Sequence, residues 1–365
     1  MSLPLAAACD MIPSSARNSA PGCGSSQPRF LFVKLKHIGD VLVLTPTLSA
    51  TRVRYPDATI WVVVRAGTEG ILAGCPAIDR ILTAAAPEGA QRSRLNWWLD
   101  FGLIRELRHQ RFDFAFELTD GDRGRWIAWL SGARRRCANT AVRPLKFGWQ
   151  WCFNGASTYD WRNRHRVEKD FYTVSDFLDL DTPIPALAFA REPAQRPSLG
   201  QVPAHYIVLH PGTRWRRKRW SREKWIELGR HLLTRVAQLV VSVGPDAEEQ
   251  ALANELQAAL GTRVLNSRGR LSWAEMAGLL YEARLFVGVD TAAMHLAAAC
   301  QCPTVAIFGP SSPAEWRPWQ VAHRLVRPSD SVLAQRPETE QTQAVKVADV
   351  IRGCEELLAQ GQVAR

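Results

Sequence analysis

The chain is short of acids: 35 Asp and Glu stand against 46 Lys and Arg over 365 residues, a formal net charge of +11. That imbalance calls for an acidic partner, whether nucleic acid, an anionic membrane or a phosphorylated substrate. Long hydrophobic runs are missing. No stretch approaches the roughly 18 apolar residues of a membrane-spanning helix, so a helical membrane protein is not expected. Clustered cysteine is missing as well. The eight Cys are scattered, only Cys300 and Cys302 are close, and there is no Cys-x-x-Cys. Neither a zinc site nor a disulfide framework is predicted, and a reduced cytoplasm fits. Met1 to Pro28 has no basic leader and no long apolar core, which argues against a signal peptide. It is rich in Ser, Ala, Gly and Pro, and residues 1–28 are expected to be disordered. No zinc-finger spacing, RNP-like aromatic motif or recognition helix accompanies the positive charge.

What is present is a globular composition, 46% hydrophobic and 22% charged, in a chain long enough for two domains. Apolar runs at Arg29–Leu35, Thr59–Val64, Arg80–Leu82 and Phe112–Glu117 alternate with helical patterns, including Trp97–Gln110. Alternation of this kind predicts a parallel sheet with helices on both faces. Prolines 183, 185, 193, 197 and 203 mark a link, placed at 191–203. The pattern then restarts with Tyr206–Leu209, Gln238–Val243, Leu285–Val289 and Thr304–Phe308. The domains so delimited are 29–190 and 204–340, and Asp349–Leu358 forms a last helix within a terminal segment 341–365.

Three stretches carry chemistry. The first is Lys34-Leu35-Lys36-His37-Ile38-Gly39-Asp40, followed by Pro46. Gly39 permits a tight turn and close approach of a ligand, Asp40 is placed as the cap of a helix from Val41, and Pro46 should kink or shorten that helix. The second is His210-Pro211-Gly212-Thr213, continuing through Arg214 to Ser221. Seven Arg or Lys fall between Arg214 and Lys224, so this loop after a strand is a candidate anion cradle. The third is the strand–helix–strand unit 284–310. There Asp290 is read as a helix cap, with Thr291 beside it and His295 one turn on, at a helix start suited to an anion. Each has a plainer reading: a cap, a solvated charge run, a satisfied core histidine. Between Asp122 and Lys169, 11 Arg or Lys face three acids, interleaved with Trp126, Trp129, Trp149, Trp151 and Trp161. That stretch is either a solvated basic surface or a binding face for phosphate and flat rings.

Taken together, Gly39-Asp40, His210-Pro211-Gly212 with Lys218-Arg219-Trp220, and Val289-Asp290-Thr291-Ala292-Ala293-Met294-His295 with Phe308-Gly309-Pro310 resemble the lipopolysaccharide heptosyltransferases, glycosyltransferase family 9, over roughly residues 30–355. Glu315-Trp316-Arg317-Pro318-Trp319 is similar to a segment of the heptosyltransferase III branch. The resemblance implies an α/β protein of GT-B architecture, two Rossmann-like domains facing a central cleft. Acceptor would bind the first domain and donor the second, with the C-terminal helix packing back toward the first. It implies Asp40 as catalytic base and Thr213, Lys218, Asp290, Thr291, Ala292 and His295 as donor contacts. Lys34, Arg164 and Arg166 are weaker acceptor candidates. The implied donor is ADP-L-glycero-β-D-manno-heptose, and the acceptor is the inner core oligosaccharide on lipid A. Neither a cofactor nor a metal is expected: no Asp-x-Asp suited to a metal-bound diphosphate stands out, and Asp179-Leu180-Asp181, which fits the spacing, lies on the Pro-bordered link. No acidic residue for the donor ribose is evident near Leu265–Arg270, where Asn266 or Ser267 would substitute. The implied location is cytoplasmic, peripheral to the inner face of the inner membrane, with an anionic membrane surface as partner and nucleic acid not expected. The alternatives are a basic nucleic-acid-binding protein using 122–169, a glycosyltransferase of the same fold with another nucleotide sugar, and a nucleotide-binding module that has lost catalysis.

Overall fold

β1 (Arg29–Lys34) is the apolar run RFLFVK, with five of its six residues buried. Continuous burial is what a strand covered on both faces requires. The computed structural model describes residues 27–86, 100–146, 148–181, 183–191, 199 and 205–363. The expected disordered segment thus lies outside the described residues apart from Gln27 and Pro28, as does nearly all of the 191–203 link.

In the first half, β1, β2 (Thr59–Arg65), β3 (Arg80–Ala84), β4 (Phe114–Glu117), β5 (Arg135–Asn139) and β6 (Gly155–Ser157) form one sheet in the order β3-β2-β1-β4-β5-β6. Its helices are α1 (Ile38–Leu42), α2 (Thr45–Arg54), α3 (Phe101–Gln110), α4 (Asp122–Leu130), α5 (Trp149–Cys152) and α6 (Arg166–Leu178). The second half repeats the plan. β7 (Tyr206–His210), β8 (Gln238–Val241), β9 (Val264–Asn266), β10 (Leu285–Val289), β11 (Thr304–Ile307) and β12 (His323–Val326) pair in the order β12-β11-β10-β7-β8-β9. They alternate with α7 (Arg222–Leu232), α8 (Ala247–Leu260), α9 (Trp273–Glu282), α10 (Ala292–Ala299), α11 (Pro313–Trp316), α12 (Asp330–Gln335), α13 (Glu338–Gln341) and α14 (Val347–Val363). All pairings are parallel, with Val33 beside Val63 and Phe286 beside Val208. In each sheet the strand order reverses at the first strand, beside β1 and β7. In a doubly wound sheet the ligand crevice lies outside the carboxyl ends of the strands at that reversal.

One apolar cluster runs through both halves. Phe32, Val41, Leu44 and Phe171 share it with Met276, Met294, Ala297 and Phe308. Each such side chain removed from water contributes about 1.5–3 kcal/mol, so the halves are held by core as well as by polar contacts. Among the described residues no helix is long and apolar enough to cross a membrane.

Three expectations need correction. Asp40 does not cap its helix: α1 begins earlier, after His37, and Asp40 lies inside the first turn. The break promised by Pro46 is present, since α2 starts afresh at Thr45 with Pro46 in its first turn. Asp290 is not the cap of α10 either. Thr291 holds that position, because the Asp290 carboxylate is drawn to Lys218 instead. The C-terminal helix α14, over its described residues, is seated on the second half rather than the first. Val350, Cys354 and Leu357 pack with Val287, Val305 and Ile307 of β10 and β11, since its apolar stripe fits the bare face of the second sheet. Finally, β5, β6, β9 and β12 were not foreseen. They are short, and β5 (RRCAN) and β6 (GAS) have no apolar signature; pairing with neighbours makes them strands.

Candidate active site

The two carboxyl edges meet at α1 and α10. Gly39 sits against α10 so closely that a Cβ there would lie 3.3 Å from His295 Cδ2 and 3.6 Å from the Ala292 Cα. The close approach expected at Gly39 is therefore made by the other half of the protein. Asp40, half-buried, follows directly and lies in the electrostatic field of both Lys34 and His295. Lys36, His37 and Arg65 join it from the first half. Arg214 reaches the same place from the second, and after burial its positive charge is the main influence pushing the His37 pKa below the ordinary value.

The second half contributes a loop and a helix start. Lys218 donates to Asp290 Oδ2 at 2.6 Å and to the Asp290 carbonyl at 3.2 Å. This ties the cationic loop to the end of β10. Thr213 is buried and its Oγ1 accepts the Trp215 N–H at 3.2 Å. A Cβ on Gly212 would fall 2.3 Å from Glu249 Oε2, so a larger residue there would have to displace that carboxylate. Of the loop's arginines, Arg216 and Arg219 pair with Glu248 at 2.8 and 2.5 Å, and Arg217 pairs with Glu338. At α10, Thr291 Oγ1 donates to the Val289 carbonyl at 3.3 Å. Burial keeps His295 below the ordinary histidine pKa despite the carboxylates of Asp290 and Asp40, and its Nδ1 is buried with no hydrogen-bond partner. Thr213, Lys218, Asp290, Thr291, Ala292 and His295 therefore do assemble at one edge, opposite Asp40.

The three acceptor candidates fare differently. Lys34 is buried against Asp170, with Nζ at 2.9 and 2.7 Å from the two carboxylate oxygens. Burial works against its charge, but Asp170 and Asp40 outweigh it and hold the pKa above the ordinary lysine value. Beside it Lys169 pairs with Asp120. Glu117, buried and next to Asp120, is pushed up to about 7 chiefly by burial. Arg166 lies between the rings of Trp161 and Trp316, 4.5 and 5.5 Å from their centroids, and pairs with Glu315. Neither Lys34 nor Arg166 is free to meet an acceptor as the structure stands. Arg164 is exposed and has no ion pair among the described residues. Asn266 and Ser267, the candidates for the missing ribose acid, are spent internally: Asn266 on Asn254 and the Arg268 N–H, Ser267 on the Val243 N–H.

Sequence reasoning missed a clasp between the halves. His165 caps α6, accepting the Val167 N–H on Nδ1 at 3.2 Å. Its Nε2 faces the Arg317 carbonyl at 2.9 Å, so Nε2 carries the proton and donates. Burial depresses its pKa to about 3, and its ring lies 4.7 Å from that of Trp319. Trp319 Nε1 donates to Pro185 O at 3.0 Å, and Gln320 Nε2 to Ile184 O at 2.7 Å. Trp316 also touches His295, with centroids 5.9 Å apart. The run Glu315–Trp319 was visible in sequence, but its partners, some 150 residues away, were not. Among the described residues no group of three or more His, Cys, Asp or Glu is arranged to hold a metal.

With that geometry in place, the comparisons with known proteins are specific. The family described as glycosyltransferase family 9 (heptosyltransferase) matches residues 101–346. The lipopolysaccharide heptosyltransferase 3 of Escherichia coli is 27% identical over 288 residues, covering 77% of this chain and 83% of that protein. The glycosyl transferase family 9 structure from Veillonella parvula superposes with a TM-score of 0.78 at 19% identity, over 91% of this chain and 97% of that one. An E. coli heptosyltransferase solved with ADP-2-deoxy-2-fluoro heptose gives 0.73 at 21% identity, over 90% and 99%. The likeness of the structures establishes the two-sheet GT-B fold, and the family match establishes the class: this chain belongs to glycosyltransferase family 9.

Proposed function

We propose that the protein transfers a heptose from ADP-L-glycero-β-D-manno-heptose to the inner core oligosaccharide of lipid A, with inversion at the anomeric carbon. The observation that carries this reading is the meeting of α1 and α10, which sets Asp40 of one half against the Lys218, Asp290, Thr291 and His295 group of the other. The donor is supported by the E. coli relative solved with an ADP-heptose analogue, and the acceptor by the E. coli relative named a lipopolysaccharide heptosyltransferase.

In this reading the nucleotide sugar lies along the second half. Its diphosphate faces Lys218 and the backbone N–H groups at the start of α10, where the helix dipole favours an anion. Asp40 takes the proton from an acceptor hydroxyl as that oxygen attacks the anomeric carbon. The bond from that carbon to the diphosphate oxygen breaks, and ADP leaves with the electron pair. Negative charge grows on the diphosphate as it departs, so Lys218 stabilises the transition state more than the ground state. Lys218 must then turn from Asp290 toward phosphate, or share itself between them. Within the group on the second half, the buried Nδ1 of His295 has no hydrogen-bond partner among the described residues. The acceptor's phosphates suit the basic first half, and its lipid would hold the protein at the cytoplasmic face of the inner membrane.

The test is incubation of the protein and ADP-heptose with lipopolysaccharide truncated at the inner core. Mass spectrometry should show one added heptose, and NMR should show an α-linkage from the β-configured donor. No product from ADP-heptose, with product from another nucleotide sugar, would transfer the reading to that donor. A retained β-linkage would remove the single displacement.

A further inference from the structure

Six large hydrophobic side chains stand exposed among the described residues. Trp215 belongs to the cationic loop, and Val53 stands apart on α2. The other four, Phe101, Trp126, Trp129 and Trp151, fall on three neighbouring helices of the first half. α4 and α5 are joined by the Trp149 indole N–H, which donates to Asp122 Oδ1 at 3.1 Å, and by the rings of Trp126 and Trp149, 5.1 Å apart. Trp126 and Trp129 are 5.2 Å apart. α3 is tied to the end of α4 by Arg108, which donates to the Leu130 carbonyl at 3.4 Å. The result is one continuous surface of α3, α4 and α5. Trp151 is 82% exposed, an unusual place for a side chain that covers as much apolar area as any.

The charge left unpaired on this surface, among the described residues, is positive. Arg105, Arg108 and Arg111 line one shallow hollow with Phe101, and none has an ion pair among the described residues. The nearby acids are taken: Asp100 by Arg123, Glu106 by Arg80, Asp113 by Arg134 and the exposed Asp122 by Arg125. A second copy docking through this same face would bring like charge against it and be repelled. A bilayer with anionic headgroups would be attracted, and exposed tryptophan is the residue that settles best between headgroup and acyl chain.

We infer that the α3–α4–α5 face is a membrane-docking surface for anionic phospholipid, with Trp126, Trp129 and Trp151 entering the interface and Arg105, Arg108 and Arg111 meeting the headgroups. The surface borders the cleft. Asp122, where α5 is anchored, lies in the first turn of α4, just beyond the carboxyl end of β4. A cavity of about 130 Å³ lined by Leu35, Arg65, Thr119 and Arg123 opens at that same edge. Delivery of a lipid-borne acceptor to that edge rests on the proposed function; binding of the face to lipid does not.

The experiment uses the full chain and needs neither donor nor acceptor. Sedimentation with vesicles of phosphatidylethanolamine and phosphatidylglycerol is compared with sedimentation on phosphatidylcholine alone. Wild type should bind the anionic vesicles, lose binding as salt is raised, and show tryptophan quenching by brominated lipid. The Trp126→Ser/Trp129→Ser/Trp151→Ser variant should bind about tenfold more weakly or worse. Its transfer to a detergent-dispersed acceptor should be unchanged, because none of the three belongs to the group assembled around Asp40 and Lys218. An Arg105→Glu/Arg111→Glu variant should lose the preference for anionic lipid. Absence of wild-type binding, or variants that bind anionic vesicles as well as wild type does, would overturn the inference. So would a wild-type dimer that the Trp variant dissolves, which would assign the face to self-association. Loss of transfer activity in the wild type would count against the proposed function and leave the vesicle result standing.

Discussion

At the scale of single residues, Asp40 offers a cleaner test than its sequence context promised. It stands within the first turn of α1, and His37 is the cap, so removing its carboxylate should not unseat the helix. Both Asp40→Asn and Asp40→Ala should melt within a degree or two of wild type. Turnover should nevertheless fall by about 10²–10⁴-fold, the usual worth of a general base. Initial rates at saturating donor and acceptor decide this; a rate for Asp40→Asn near wild type would take the base role away from it. Lys218 is less simple, because it is paired with Asp290, a residue only 6% exposed. Lys218→Ala should weaken ADP binding by about 1.5–3 kcal/mol through the lost charged hydrogen bond, and it should also lower stability by stranding the Asp290 carboxylate. Adding Asp290→Asn should recover the melting temperature without recovering ADP affinity, which calorimetry and a thermal melt can read together. Recovery of both would make the pair structural and remove Lys218 from the donor site.

At the scale of elements, the Glu315–Gln320 segment behaves as a strap from the second half over α6 of the first. Arg166 is gripped by two indole rings and a carboxylate, with both charged side chains about one-fifth exposed. Glu315→Ala should cost about 1–3 kcal/mol of stability and enlarge the radius of gyration in solution scattering as the halves loosen. No change in either would show that the strap holds nothing. His165 makes the same strap sensitive to acid. Its pKa in the folded protein is about 3, below the unfolded value near 6.5, so it is neutral in both states above that value. As pH falls below about 6.5 the unfolded chain takes up the proton first, and stability declines by at most about 1.4 kcal/mol per pH unit until the folded group titrates. His210, depressed to about 4 by burial, acts with the same sign. His165→Asn keeps a good helix cap but abolishes the titration. Denaturant unfolding at about pH 7 and about pH 5 should therefore show a smaller acid loss for the variant than for wild type. Parallel losses would exclude His165 as a source.

At the scale of the molecule, the apolar cluster shared between the halves predicts that they unfold together. Two domains joined only by a link would melt separately, but here Phe171 and Leu44 pack in one cluster with Met294 and Phe308. Calorimetry should show a single transition whose calorimetric and van't Hoff enthalpies agree. Two resolved transitions would mean that the shared cluster does not couple the halves. The charges gathered at the cleft lead to a second expectation. With Lys218 and the start of α10 placed to stabilise the departing diphosphate, transfer should proceed undiminished in excess EDTA, and loss of rate restored by magnesium would show that those groups do not suffice.

The sequence alone determined the strands that announce themselves as apolar runs, but not which residue caps the helix that follows. Apolar runs such as RFLFVK and LFVGV must be buried, so they are strands wherever they end up. Their alternation with helical segments allowed only a parallel α/β sheet in each half, and the sites at Gly39-Asp40, Gly212-Thr213 and Asp290-Thr291 follow strands because glycine and short polar residues end an apolar run. Tertiary structure decided which charges remain free. Lys34 meets Asp170 across 136 residues, Lys218 meets Asp290 across 72 and Arg166 meets Glu315 across 149, distances over which composition says nothing about partners. It also decided the strands β5 and β6, whose own residues have little preference and which form because a neighbouring edge offers hydrogen bonds. The seat of α14 was settled in the same way, since an amphipathic helix states that it must cover an apolar face but not whose.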